Sequence, residues 1–479
     1  MSQSTTNSLT QEDQKLITAL NALPNDFWDF KGHDVREYTH GIHNYPAMMV
    51  CPISRNIIKL VKNVRAVDSV FDPFAGSGTV LVESMLAGTK TIYGNDINPL
   101  ALFLSKVKTT RLDGVLLQQE AKSLYRRIED AYTPQIDGAD EAMEIEYHLD
   151  LTAKDGWGAK APMYLRKYTQ DNRIDVDVPD FKNIGYWFKP RVILLLALIK
   201  KEISKISNGD IRRFIFVAFS ETIRFVSNRR NGEFKMFRMP PDKVAVFKPD
   251  VIKEFAGILN RNIEKMLSFE EACGKLAVGP AVTIFQNNAT MLEDVPANSV
   301  DLVVTSPPYG DSRTTVAYGE YSRLSLQWLD LFALSEKEIM RIDKALMGGN
   351  KYRNGFEFTL PSPTLKKSIE RIKEADLERA GDVYSFYLDL SKSIAAISRK
   401  TKIGGYQFWV VGNRTVKGEL LLTDQIIAEI AAQHGLAHIH TVDRNIINKV
   451  MPSLNSPSNE SGVKSSTMCN EHIVILRKT

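Results

Sequence analysis

The chain has 479 residues, 43% hydrophobic and 25% charged, with a net charge of +4. This is ordinary globular composition, enough for about two to four domains' worth of core, and its mild basicity permits a nucleic-acid partner without arguing for one. Cys51, Cys273 and Cys469 are far apart and form no CxxC pair, which reads as reduced thiols in a cytoplasmic protein, with neither disulfides nor zinc. The polar N-terminus lacks a signal-peptide core, and the longest apolar run, Val192 to Ile199, is far below the roughly 18 residues of a membrane span.

In chain order, residues 1–39 read as an extension: a disordered start, then a helix capped by Thr10 with acids in its first turn. After an aromatic-rich irregular stretch, "PISRNIIKLVKNV" predicts an amphipathic helix. "DSVFDPF" is a strand, "GTVLVESMLAG" a helix, "KTIYGNDINP" a strand ended by Pro99 and "PLALFLSKVKTT" a helix. Strand and helix alternating at this spacing predict a parallel sheet with covering helices. The alternation stops near residue 110. Residues 111–279 read as a helical insertion, and strands resume at "AVTIFQNNATML" and "SVDLVVTSPPY". A charged helical segment at about 330–385 forms a second insertion. The strand "YQFWVVGN", the helix "TDQIIAEIAAQHG" and the strands "AHIHTVDRN" and "EHIVILRK" complete the pattern, the last two as an antiparallel hairpin. The expected core is therefore one α/β sheet built from 40–110 and 280–479.

Two motifs carry chemistry. In "FDPFAGSGTVLVE", Gly76 and Gly78 lie between a strand and a helix N-terminus, where a ligand can approach the backbone and an anionic group is favoured. A phosphate-binding loop needs a lysine after the last glycine, and Thr79 stands there. A dinucleotide fingerprint needs a third small residue, and Leu81 stands there. A nucleoside with a small charged group, such as S-adenosylmethionine, remains. Asp96, 18 residues after Gly78, can accept both hydroxyls of a ribose. In the second motif, "TSPPY", the Ser306 hydroxyl and the Pro307 carbonyl offer two acceptors on a stiffened backbone, beside the ring of Tyr309. That suits the NH2 of a planar base. Acceptors on both N–H groups favour a pyramidal nitrogen whose lone pair can attack a sulfonium methyl. Methylation at cytosine C5 needs a cysteine nucleophile in Pro-Cys, and the chain has only Cys51-Pro52 in reverse order.

With both motifs present, the chain resembles the amino-methyltransferases that modify DNA at N4 of cytosine or N6 of adenine: "DPFAGSGT" and "TSPPY" are similar to their motifs I and IV. "HNYPAMMVCPISRNII" resembles their motif X, and "FQNNATML" lies where motif III does, with Asn288 where many members carry an acid. "FWVVGNRTVKG" and "NKVMPSLNSPSN" with "EHIVILRK" resemble later blocks; together the blocks are scattered over about 270 residues. The resemblance implies a Rossmann-like methyltransferase fold, mostly parallel with an antiparallel closing hairpin and interrupted by helical insertions. It implies S-adenosyl-L-methionine held by Tyr45, Pro46, Asp72, Phe74, Gly76, Gly78, Thr79, Asp96, Ile97 and Asn288. It implies a catalytic group of Ser306, Pro307, Pro308 and Tyr309. Serine at the first position of the tetrapeptide is commoner in N4-cytosine enzymes. The resemblance also implies a restriction–modification context with a cognate endonuclease. N6 of adenine, N2 of an RNA guanine and a non-catalytic nucleic-acid-binding subunit remain as alternatives.

A base inside double-stranded DNA must be flipped out to reach such a site. "IRFVSNRRNGEFKMFR" sets Arg224, Arg229, Arg230, Lys235 and Arg238 against one acid, Glu233, a mixture suited to phosphates. Arg313 and Thr314 follow the second motif and are expected at the mouth of the site. His434, His438 and His440 straddle a helix end and a strand, and no metal is expected there.

Overall fold

The computed structural model describes residues 9–157, 160–230, 234–276, 279–311, 315–330, 332–349, 352, 355–446, 454–455, 465–466 and 470–479. The strands of its main sheet are β1 Ser69–Asp72, β2 Thr91–Asn95, β3 Ala281–Phe285, β4 Val300–Thr305, β5 Thr401–Gly412, β6 Leu436–Asn445 and β7 Asn470–Lys478. They form one sheet in the order β3-β2-β1-β4-β5-β7-β6. β1 to β5 pair in parallel, and β7 runs antiparallel to both β5 and β6. This is the Rossmann-like methyltransferase fold with the expected closing hairpin.

Successive side chains of a strand face opposite sides of the sheet, and the sequence supplies apolar residues at both parities. Leu302, Val304, Phe408, Val410, Ile473 and Ile475 fill the core on one face. Val303, Trp409, Val411, Val474 and Leu476 fill the core on the other. Strands buried on both faces read as continuous apolar runs, as parallel sheets require. β5 begins at Thr401, earlier than "YQFWVVGN" suggests, and its pairing with β4 shifts register between Val300 and Leu302. Gly404 and Gly405 lie at that shift and hide the strand from a period-2 reading.

The covering helices are α1 Gln11–Asn21, α2 Cys51–Val64, α3 Thr79–Leu86, α4 Pro99–Lys108, α5 Gly114–Ala131, α6 Pro190–Ser204, α7 Gly209–Val226, α8 Val251–Gly274, α9 Tyr318–Leu329 and α10 Leu377–Lys400. Thr10 caps α1 in a reciprocal box with Asp13. Asp13 also accepts from Arg477 Nε (2.9 Å) and Tyr406 Oη (2.8 Å), fixing α1 to β7 and β5. The insertion helices α5 to α8 share one hydrophobic core with α2 to α4 and the sheet. Among the described residues no helix is long and apolar enough to cross a membrane.

The strand order reverses between β1 and β4. The loops that leave these neighbouring strands diverge there and open a crevice at their C-terminal ends. β1 and β4 pair at Val70–Leu302 and Phe71–Val303, so the glycine loop and the Ser-Pro-Pro-Tyr segment leave the sheet side by side.

Candidate active site

The chain turns from Asp72 through Pro73–Gly78 into α3. Gly78 is the N-cap residue at φ +86°, and a Cβ there would lie 3.0 Å from Ser105 of α4. A left-handed residue pressed against a neighbouring helix has to be glycine. Asp96 braces the loop: one oxygen accepts the Gly76 N–H (2.9 Å) and the other the Asn98 N–H (2.8 Å). Burial raises its pKa against the pull of these bonds. A carboxylate has about four acceptor sites, so both oxygens retain capacity toward a ligand. Asn95 donates to Pro73 O (3.1 Å) and Asn287 O (3.0 Å) and so ties together the loops after β1, β2 and β3. Asp72 accepts from Thr305 Oγ1 (2.7 Å), the last residue of β4, and burial raises its pKa to about 7.

Of the predicted ligand and catalytic residues, Tyr45, Pro46, Asp72, Phe74, Gly76, Thr79, Asp96, Ile97, Asn288, Ser306 and Pro308 line one cleft. Gly78, Pro307 and Tyr309 stand outside its lining. Asn288 accepts from the N–H and hydroxyl of Thr290 (3.0 and 2.9 Å), an Asx turn that shapes the cleft wall. Several lining residues escaped the sequence reading, among them Asn98, Asn287, Tyr318 and Met347. Asn98 caps α4 just before Pro99 and donates to Tyr45 Oη (3.0 Å); the Asn-Pro pair was a legible signal for it. Tyr318 stacks on Tyr45 with ring centroids 6.0 Å apart. It reaches the cleft from α9 by tertiary packing, which no local pattern announces.

The second motif begins one residue beyond β4. Ser306 Oγ donates to Tyr309 Oη (3.3 Å), and Tyr309 Oη donates to Glu471 Oε1 (3.1 Å). Arg444 holds the other oxygen of Glu471. Burial, then the nearby Glu471 charge, raises the Tyr309 pKa and keeps its phenol protonated. Gly310 follows, with the Arg414 guanidinium so close that any Cβ would overlap it. Asp311 pairs with Arg379 at 3.0 Å and Arg414 at 3.7 Å, pinning the exit of the motif.

No protein-family model matches the chain. The curated relatives are informative. It is 39% identical over 480 aligned positions to the Type II methyltransferase M.MvaI of Kocuria varians, covering 98% of both chains. The chain belongs to the Type II methyltransferases. A second relative, the Type II methyltransferase M.MjaII of Methanocaldococcus jannaschii, is 23% identical over 63% of this chain and 64% of its own. Among solved structures, the rRNA methyltransferase aviRa of Streptomyces viridochromogenes covers 91% of this chain and 88% of its own at 8% identity. Its TM-score of 0.28 is too low to carry an argument. The expected DNA methyltransferase is thus borne out at the level of the family.

In this Type II methyltransferase the arginine-rich segment is not the basic surface that its composition suggests. Arg224 does not face outward. It is 4% exposed, lies 3.5 Å from the Tyr321 ring centroid and donates to Tyr321 O (2.6 Å). Arg229 is buried and donates to Arg230 O (2.9 Å). Arg238 lies over the Tyr186 ring and donates to Tyr186 O (2.9 Å) and Ala153 O (2.8 Å). Guanidinium groups satisfy stacking and several carbonyls at once, so these three build the segment rather than its surface. Arg229 and Arg238 face each other across an antiparallel bridge. Arg230 and Lys235 reach solvent, flanked by Phe234 and Phe237, which are 52% and 49% exposed. The Met236 N–H bonds Glu320 of α9 (2.7 Å), which places this ribbon beside the helix that follows the second motif. Arg313 and Thr314 lie outside the described residues.

Proposed function

We propose that this methyltransferase transfers the methyl group of S-adenosyl-L-methionine to the exocyclic amine of a base flipped from double-stranded DNA, namely N4 of cytosine. The observation that carries the reading is the single cleft that runs from Asp96 and the glycine loop to Ser306. The cleft's chemistry fits the methyl donor. Asp96 retains acceptor capacity for ribose hydroxyls, Phe74 and Ile97 offer apolar walls, and the N-terminus of α3 faces the cleft at Thr79. Bound there, the donor supplies an electrophilic methyl on a sulfonium. The chain's own residues orient the acceptor. Ser306 Oγ and the Pro307 carbonyl accept the two amine N–H groups, and the Tyr309 ring borders the base. Removing electron density from neither partner, they stabilise the developing charge in the transition state.

The preference for cytosine rests on Ser306, which is shorter than the Asp or Asn common in adenine enzymes. The duplex lies along the segments 228–230 and 234–239, with Arg230 and Lys235 on phosphates and Phe234 and Phe237 toward bases. The insertion 111–279 is then the target-recognition region, and a cognate endonuclease completes a restriction–modification pair. The test is mass spectrometry of nucleosides from DNA methylated by the enzyme. N4-methylcytosine is expected. N6-methyladenine alone overturns the base, and methylguanine in RNA with unmodified DNA overturns the substrate.

A further inference from the structure

The Ser-Pro-Pro-Tyr segment contains no carboxylate, yet an amine that accepts a methyl group must lose a proton. The structure supplies a carboxylate from the far end of the sequence. β7 runs antiparallel to β5, so its beginning lies at the edge of the sheet where the parallel strands end. Glu471 is its second residue, opposite Gly412 of β5 and Arg444 of β6. Ser306 leaves β4 at the same edge. Two hydroxyls bridge the gap. Ser306 donates to Tyr309 at 3.3 Å and Tyr309 donates to Glu471 at 3.1 Å. The first link is long for a hydroxyl pair, as catalytic hydrogen bonds often are before substrate binds. Arg444 is 5% exposed, donates to Trp28 O (2.9 Å) and pairs with the second Glu471 oxygen, so the carboxylate is held in place.

The direction of these bonds matters. A hydroxyl has one proton to donate. Ser306 gives its own to Tyr309, and Tyr309 gives its own to Glu471. Ser306 Oγ therefore meets the cleft as an acceptor.

We propose that Glu471, through Tyr309, fixes Ser306 as an acceptor that selects an amine over a carbonyl and provides the outlet for the amine proton. The inference rests on the function proposed above. In the transfer step the amine nitrogen forms a bond to the methyl carbon, and the carbon–sulfur bond breaks with its electrons passing to sulfur. The nitrogen is then cationic. One of its N–H protons passes to Ser306 Oγ, the Ser306 proton passes to Tyr309 Oη, and the Tyr309 proton passes to a Glu471 oxygen. The product is a neutral methylamine and a protonated Glu471, which returns its proton to solvent. Glu471 never touches the base, so it is a positioning residue.

The test uses the full-length enzyme, Tyr309→Phe, Glu471→Gln and the double variant. Tyr309→Phe keeps the ring and the Glu471–Arg444 pair, and so remains informative where Glu471→Gln fails to fold. One readout is equilibrium binding, with S-adenosylhomocysteine present, of the recognition duplex and of a duplex whose target amine is replaced by a carbonyl (uracil for cytosine, hypoxanthine for adenine). The wild type should prefer the amine by about tenfold or more, and Tyr309→Phe, whose Ser306 is free to rotate, should lose most of that preference. The second readout is single-turnover transfer, expected to fall by about 100-fold in either single variant, with duplex affinity kept and no further loss in the double variant. Wild-type preference and rate in Tyr309→Phe overturn the relay alone. A wild-type enzyme that methylates no amine in DNA overturns the relay together with the function on which it rests.

Discussion

Asp96 was legible in the sequence as a carboxylate at the end of the second strand, but only half of its work was. The structure has it holding the Gly76 and Asn98 N–H groups, so it shapes the glycine loop that a ligand meets. Asp96→Ala is therefore expected to weaken S-adenosylmethionine binding by about 1.5–3 kcal/mol, the scale of charge-assisted hydrogen bonds. Calorimetry on a folded variant with undiminished affinity would remove Asp96 from the site. Lys108 was not legible at all. It closes α4 as one more lysine in "LSKVKTT", yet it is fully buried, donating to Ser77 Oγ (3.1 Å) and His40 O (3.3 Å) beneath the glycine loop. Burial pushes its pKa down to about 7 from an unfolded value of 10.5. Between these values the unfolded chain binds one more proton than the folded one, so stability rises with pH across that window. The slope due to this group is at most about 1.4 kcal/mol per pH unit. Lys108→Met should lose that part of the slope in urea unfolding between pH 7 and 9; an unaltered slope would mean that the amine stays charged in the fold.

At the scale of elements, alternating strands and helices were readable because a parallel sheet imposes its own spacing, and the helix caps at Thr10, Asn98 and Asp113 carry side-chain signals. The arginine-rich segments 228–230 and 234–239 depart from the expected basic surface for a physical reason. Composition reports that five cations are near one another, but not which way they point. Tyr186 and Tyr321, distant in sequence, draw Arg238 and Arg224 inward. The two kinds of arginine should separate by experiment. Arg224→Ala is expected to cost about 1.5–3 kcal/mol of stability, because the buried Tyr321 carbonyl and ring lose the cation they partner. Changing Arg230 and Lys235 together to Ala should leave stability nearly intact and flatten the salt dependence of duplex binding by up to about 1.8 units. An unchanged slope in that pair would put the phosphates elsewhere on the molecule.

At the scale of the whole molecule, the last strand of the chain is an interior strand of the sheet. β7 lies between β5 and β6, and these two meet through it alone in the strand order. A chain ending before Asn470 should therefore show no cooperative thermal transition by circular dichroism, and a sharp transition in that variant would mean that β5 and β6 can pair directly. The same placement governs what happens while the protein is being made. β1 and β2 leave the ribosome early, but β4 cannot join β1 until the long helical insertion has been synthesised, and such late, distant pairing slows folding. β7 follows later still, after β6. Until it emerges, β5 and β6 each present an unpaired edge to other chains, a hazard for aggregation. A nascent or truncated chain thus carries the whole glycine loop and the Ser-Pro-Pro-Tyr segment while lacking the strand that closes the sheet. Modification activity is withheld until β7 has emerged and paired, and products that lack it are left exposed to proteolysis.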